Sequence, residues 1–303
     1  ELAIDYRHTF KNGLHFGVTA SVADDKTEVT KWTYNTKIPS YGATGWWDKS
    51  AYKEGMVLGD IWGLQFDRFL TEDDFNADGS LKAGLPDQTK VFPAGYQFAP
   101  GDVLYKDLDN NGEIVKQTNT NDKGDLSVIG NALPRLQFGL NLDAAWKGFD
   151  ISMFFQGVAK RKLWAAGNQV LPGFTTGEPF YKGAEDYWTP ENTDAFYPRP
   201  MDYKQSASGN YSVNDRYLLN MAYLRLKTFT VGYSLPKVWL SKFKVQGLRV
   251  YFTGENLFTI DGVKPAIDPE IGIRTASGKS DQRNFGRSYP YQKTVSFGIQ
   301  LSL

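Results

Sequence analysis

Asp107, Asp109 and Asn111 occupy alternate positions in the stretch YKDLDNNGEI, and Gly112 follows directly. Two carboxylates, an amide and a turn-forming glycine at this spacing form the opening half of an oxygen-ligand loop for a hard cation. Glu113 adds a backbone carbonyl at the seventh position. Calcium suits such a flexible oxygen set better than magnesium, which demands near-octahedral geometry. The twelfth position, where an acid would close the loop, is Thr118, so the pattern breaks there. A solvated Asp/Asn-rich turn without an ion has the same residues. The flanking residues read as strands, which argues against a helix–loop–helix calcium module.

Other chemistry is thin. The chain has 303 residues, no cysteine, and only His8 and His15 as histidines. Thiolate catalysis, zinc–thiolate sites and histidine metal centres therefore lack material. Phosphate loops, nucleophile elbows and HExxH patterns are absent, so neither an enzyme nor an organic cofactor is expected. The carboxylate pairs Glu185/Asp186 and Asp268/Glu270 are too close in sequence to face each other across a glycosidase cleft. They read as caps and loop-fixing salt links. Trp46, Trp47, Trp62 and Trp164 lie in or near long connections, where an aromatic face can meet a sugar ring or a partner protein. The same rings could instead pack the loops together. Charge is balanced at 34 basic against 34 acidic residues, which gives no footprint for nucleic acid.

The elements that must position these residues are strands. Leu136, Phe138, Leu140, Leu142, Ala144 and Trp146 alternate with polar residues or glycine. The same period of two runs through 14–22, 248–254 and 293–303, and marks strands with one apolar and one polar face. In 223–234 the phase slips between Leu226 and Phe229, which predicts a bulge near Lys227. Seven strands are clear, with 58–70 offering further short pieces. KNGL (11–14) and WKGFD (146–150) are tight hairpin turns, and 235–247 is a modest connection. The remaining connections, about 24–135, 159–222 and 259–290, are long.

Short and long connections alternate strictly. That is the form of an outer-membrane barrel, with short periplasmic turns and long extracellular loops. On this reading the apolar face meets lipid, and Asn141, Asp143, Gln156, Arg249 and Glu255 face the lumen. The last strand runs downward, leaving the C-terminus periplasmic. A soluble β-sandwich with decorated loops would also alternate, its apolar face turned into a core. Seven strands cannot close a barrel, and the abrupt start reads as a piece of something longer.

Several blocks resemble the SusC/RagA-type TonB-dependent outer-membrane transporters. They are EGMVLGDIWGLQFD (54–67), GDVLYKDLDNNGEI (101–114), GNALPRLQFGLNLDAAWKGFDISMFFQGV (130–158), DYWTPENTDAFYPR (186–199), YLRLKTFTVGYSLPK (223–237) and LRVYFTGENLFTI (248–260) with DPE (268–270). They occur in the family's order. The resemblance implies an all-β fold: this chain would be the C-terminal part of a 22-strand antiparallel transmembrane barrel. The plug, the first strands and the TonB-engaging segment would lie outside it. It also implies a nutrient importer in a Gram-negative outer membrane, for oligosaccharides or in some cases peptides, working with a SusD-like surface lipoprotein. The stretch after Glu113 looks inserted relative to the family, whose closing acid then matches Asp125, with Asp122 second. Leu303 departs from the family's usual terminal aromatic. The competing expectation is a secreted, calcium-stabilised carbohydrate-binding β-protein.

Overall fold

A computed structural model describes residues 1–32, 54–119, 122–165, 167–174, 180–201, 209–241, 245–264, 267–270 and 289–303. The strands run in chain order β1 (Leu2–Thr9), β2 (His15–Ala23), β3 (Asp60–Gly63), β4 (Phe66–Phe69), β5 (Val103–Tyr105), β6 (Lys116–Asn119), β7 (Asp122–Gly124) and β8 (Ser127–Asn131). They continue as β9 (Arg135–Trp146), β10 (Phe149–Lys160), β11 (Lys162–Leu163), β12 (Leu219–Asn220), β13 (Tyr223–Ser234), β14 (Gly247–Glu255), β15 (Thr259–Asp261) and β16 (Thr294–Ser302).

The long strands pair as one antiparallel meander, β1-β2-β9-β10-β13-β14-β16. Each wall strand pairs with the next wall strand in the chain, so the sheet needs no crossover. The first hairpin closes with Phe10 N–H donating to Leu14 C=O at 2.8 Å, and Gly13 has φ +80°. In the second, Lys147 (φ +47°) and Gly148 (φ +89°) both sit in the left-handed region. That geometry matches the right-handed twist of the flanking strands.

The bulge falls where the slipped phase placed it. Phe154 pairs with Thr228 and Phe155 with Leu226, so Lys227 has no partner on β10. The extra residue keeps Leu224 and Leu226 on the same face as Phe229, Val231 and Tyr233. Opposite it, β14 breaks at Asn256 (φ +51°) and resumes as β15, which pairs Tyr223–Arg225.

Register then fixes two faces across the whole sheet. Ile4, Ala20, Leu140, Phe155 and Leu226 fall in one row of paired positions, and Val231, Phe252 and Phe297 in another on the same side. Neither buried cluster covers this apolar face. On the edge strands Phe297 is 82% exposed, and Ile4, Val295, Ile299 and Leu301 are also exposed. The central Leu140, Phe155, Val231 and Phe252 are half-buried, and only Leu226 among those named, at the loop end, is buried. The buried apolar clusters lie elsewhere. One gathers Ile61, Trp164, Leu171, Tyr217 and Met221, the other Leu64, Phe69, Val103, Tyr105 and Ile114. Both are built from connection residues and form a packed loop layer beyond one end of the sheet.

The pieces at 58–70 belong to that layer and not to the wall. β3 pairs β8 and β4 pairs β5, as two small sheets separate from the meander. The first two long connections are stitched together: Leu64 N–H donates to Val213 C=O at 2.9 Å, and Phe66 N–H to Asp215 Oδ1 at 2.8 Å.

Candidate functional site

The turn at Asp107 is held by its own side chains. Gly112 N–H donates to Asp107 Oδ2 at 2.7 Å, Asn111 N–H to Asp109 Oδ1 at 3.1 Å, and Glu113 N–H to Asn111 Oδ1 at 2.8 Å. Gly112 takes φ +86°, which a side chain would strain. Asp125 arrives from after the hairpin of β6 and β7 and is fully buried. Its two oxygens accept Leu108 N–H at 2.7 Å and Val115 N–H at 2.8 Å, so it pins both sides of the turn.

Asp107, Asp109 and Asp125 thereby each offer a carboxylate oxygen within 4.8 Å of the others. Partial desolvation, then the charges of Asp125 and Asp107, raise the Asp109 carboxyl above its ordinary range. Desolvation also acts to raise Asp107, but the N–H donations led by Gly112 outweigh it and leave that carboxyl lowered. Three clustered carboxylates plus the Asn111 amide oxygen are the donor chemistry of a hard cation. The Glu113 carboxylate is drawn away to Lys90, leaving only its backbone carbonyl for such a role. The side chain of Asp122 lies outside the described residues; its backbone belongs to β7.

The tryptophans divide differently. Trp164 is 1% exposed at the centre of the first cluster, so it packs the loop layer and presents no face to solvent. Its apolar neighbours, Leu163 and Leu171, come from the same connection. Trp62 is partly buried against the second cluster, and its indole N–H has no acceptor among the described residues. Trp46 and Trp47 lie outside the described residues.

Two features had no signal in the sequence. The first is a hub around Asp102, whose partners come from the first two long connections: Tyr96 Oη, Ala99 N–H, Arg199 and Asn210 Nδ2 all donate to it. The second is a half-open cleft walled by tyrosines of the 172–211 region.

On the polar face of the sheet, Asp5, Thr19, Asn141, Asp143, Ser152 and Thr228 line a shallow recess. Arg249 bridges to Asp150 with its Nε at 3.0 Å and lies 5.0 Å from the Tyr251 ring centroid. Both side chains lie flat over glycines: a Cβ on Gly232 would meet Arg249 Nη2 at 2.4 Å, and one on Gly298 would meet the Tyr251 hydroxyl at 2.4 Å. At the loop end, Arg225 pairs with Asp268 at 2.7 Å and Lys227 with Glu270 at 3.0 Å. The second carboxylate pair thus serves as a loop-fixing salt link.

No protein-family model matches the chain. TonB-dependent receptor P3 of Formosa agariphila is 29% identical over 258 residues, 82% of this chain and 22% of that receptor. TonB-dependent receptor P26 of the same organism is 32% identical over 200 residues, 64% of this chain and 19% of that receptor. TonB-dependent receptor SusC of Bacteroides thetaiotaomicron is 25% identical over 242 residues, 77% of this chain and 22% of SusC. The chain therefore spans about a fifth of the length of these relatives. A solved structure of the RagAB peptide transporter superposes with a TM-score of 0.62 at 17% identity, covering 99% of this chain and 28% of that one. That likeness concerns the fold: the open meander is one segment of an antiparallel β-barrel wall, topped by long loops.

Proposed function

We propose that this chain, a relative of the SusC/RagA-type TonB-dependent receptors, forms barrel wall and extracellular loops of an outer-membrane nutrient importer. The observation that carries the reading is the open apolar face of the meander, with the cores confined to a loop layer at one end. In a soluble sandwich that face would be the core. Each large apolar side chain left in water forgoes about 1.5–3 kcal/mol of burial, whereas lipid is the natural cover for such a band. Trp146 with Lys147 stacked 4.5 Å above it, and Phe149 at 4.5 Å from Tyr233, sit at the hairpin end. Amphipathic rings and lysines there fit a membrane–water interface.

On this reading the hairpin end and the C-terminus are periplasmic and the loop layer faces outward. The polar face lines the lumen toward a plug carried elsewhere in the protein. An oligosaccharide is captured at the loops beneath a SusD-like lipoprotein and imported with TonB-supplied energy. A peptide cargo is the alternative, because the RagAB neighbour is described as a peptide transporter. The wall itself performs no chemistry. Fractionation of cells expressing the full-length protein tests this: it should be found in the outer membrane and migrate faster unboiled than boiled. Recovery of native protein in the soluble fraction without detergent would support the secreted carbohydrate-binding reading instead.

The turn at Asp107 is the proposed calcium site of the loop layer. Asp107, Asp109, Asn111, the Glu113 carbonyl and Asp125 would hold the ion, which would neutralise the clustered carboxylates and stiffen the loop. Asp109→Asn keeps the shape of the turn and removes one charge. The full-length receptor should bind calcium with a Kd on the order of 10⁻⁶ to 10⁻³ M, and Asp109→Asn should weaken it about tenfold or more. Calorimetric titration checks this. A receptor that takes up no calcium, and melts at the same temperature with and without it, would leave a bare turn.

A further inference from the structure

We propose that the tyrosine-walled cleft of the loop layer is a binding subsite for an uncharged sugar ring of an oligosaccharide. This rests on the importer reading and adds to it a place and a set of residues. The cleft has a volume of about 650 Å³ and is lined by Tyr181, Tyr187, Tyr197 and Tyr211, with Lys182 and Glu185 as its charged groups. That is room for more than one hexose ring.

Its floor is fixed before any ligand arrives. The Tyr197 hydroxyl donates to Val170 C=O at 3.0 Å, and burial pushes its pKa up to about 12, so it stays protonated as a donor. The Tyr197 ring stacks on Tyr217 at 6.0 Å and 11°, and Tyr211 meets Tyr217 edge-on at 5.3 Å. Rings held this way lose little entropy on binding. The rim is different: Phe180 is 58% exposed and Tyr187 40% exposed, with apolar ring surface open to solvent.

The chemistry selects the ligand class. Tyrosine offers an apolar face and a hydroxyl in one side chain. A pyranose has the complementary pattern, C–H faces ringed by hydroxyls. One lysine and one glutamate leave the lining neutral, which disfavours an anionic or cationic ligand. A peptide recognised through its backbone would need free backbone donors and acceptors, and those of the strip around Tyr197 are already paired. Trp188 N–H already donates to Tyr197 C=O at 3.0 Å, and Tyr197 N–H to Asp186 C=O at 2.9 Å.

The test uses the full-length receptor in detergent on an array of defined neutral oligosaccharides, with proline-rich and aromatic peptides on the same array. The expected result is glycan binding that weakens about tenfold in Tyr187→Ala, the equivalent of one well-packed aromatic contact. Tyr187→Phe, which keeps the ring, should stay within about threefold of the parent. Unchanged melting and unchanged mobility shift on boiling show that each variant is folded. Absence of any glycan signal, glycan binding indifferent to Tyr187→Ala, or peptide binding that Tyr187→Ala abolishes would each overturn the assignment. A receptor that fractionates with the outer membrane and still gives one of those results removes the sugar subsite alone and leaves the importer reading in place.

Discussion

Asp102→Ala is expected to destabilise the loop layer by about 3–5 kcal/mol, the range for stripping one partner from a buried charge pair. The Asp102 side chain has no solvent exposure, and it accepts from Arg199 Nε at 2.8 Å, Arg199 Nη2 at 3.2 Å and Asn210 Nδ2 at 2.9 Å. Tyr96 Oη and Ala99 N–H add two further donors, each at 2.9 Å. Removing the carboxylate takes the shared acceptor from all of these groups, leaving Tyr96 Oη and Asn210 Nδ2 only weaker contacts such as Met201 Sδ, and leaves the largely covered guanidinium of Arg199 without its counter-charge. The loss should be local, because none of the partners belongs to the meander. Limited proteolysis of the full-length receptor should therefore show new cleavage in the first two long connections, while the mobility shift on boiling persists. Asp102→Asn, which halves the acceptors and places an amide N–H₂ among donors, should show a smaller effect in the same direction.

The second large effect distinguishes the two faces of one strand. Ile299 lies on the open apolar face of β16, and Gln300 is its neighbour on the polar face, paired with Arg249. Ile299→Arg should destabilise the receptor in a bilayer by about 2–4 kcal/mol, the figure for a cation near the hydrocarbon midplane of an outer-membrane barrel. Gln300→Arg keeps its charge in the wet lumen and should change stability by no more than about 1 kcal/mol, the range for such positions outside hydrocarbon. Urea unfolding of receptor refolded into vesicles measures both. Equal effects at 299 and 300 would mean that neither face is lipid.

The wall was legible because it obeys a local rule. Alternation over 136–146 and 293–303 placed β9 and β16, turn residues at 11–14 and 146–150 placed the hairpins, and a slipped phase placed the bulge at Lys227. Each of those signals lies within a dozen residues of the structure that it reports. The loop layer follows no such period. Its small sheets join 60–63 to 127–131 and 66–69 to 103–105, so the pieces at 58–70 could not be assigned to wall or loop from spacing. Arg199 reaches Asp102 across 97 residues and Asn210 across 108. Nothing in the run GDVLY discloses that its aspartate is the hub. Trp164 illustrates the same limit: from sequence, a tryptophan in a long connection fits an exposed platform or a packed loop, and only the contacts of the first cluster decide for packing. For the Asp107 turn, local spacing marked the first half of the proposed ligand set. The approach of Asp125 depends on the β6–β7 hairpin between them.

The most direct test is lipid contact along β16. The chain contains no cysteine, so cysteines can be placed singly at 295 to 301 in the full-length receptor, with any cysteines outside this chain replaced, and labelled with a fluorophore after refolding. Brominated lipids quench only probes that touch acyl chains. The structure predicts strong quenching at Val295→Cys, Phe297→Cys, Ile299→Cys and Leu301→Cys, and weak quenching at Ser296→Cys, Gly298→Cys and Gln300→Cys. Uniform quenching, or none at the four apolar positions, would contradict a membrane-spanning wall.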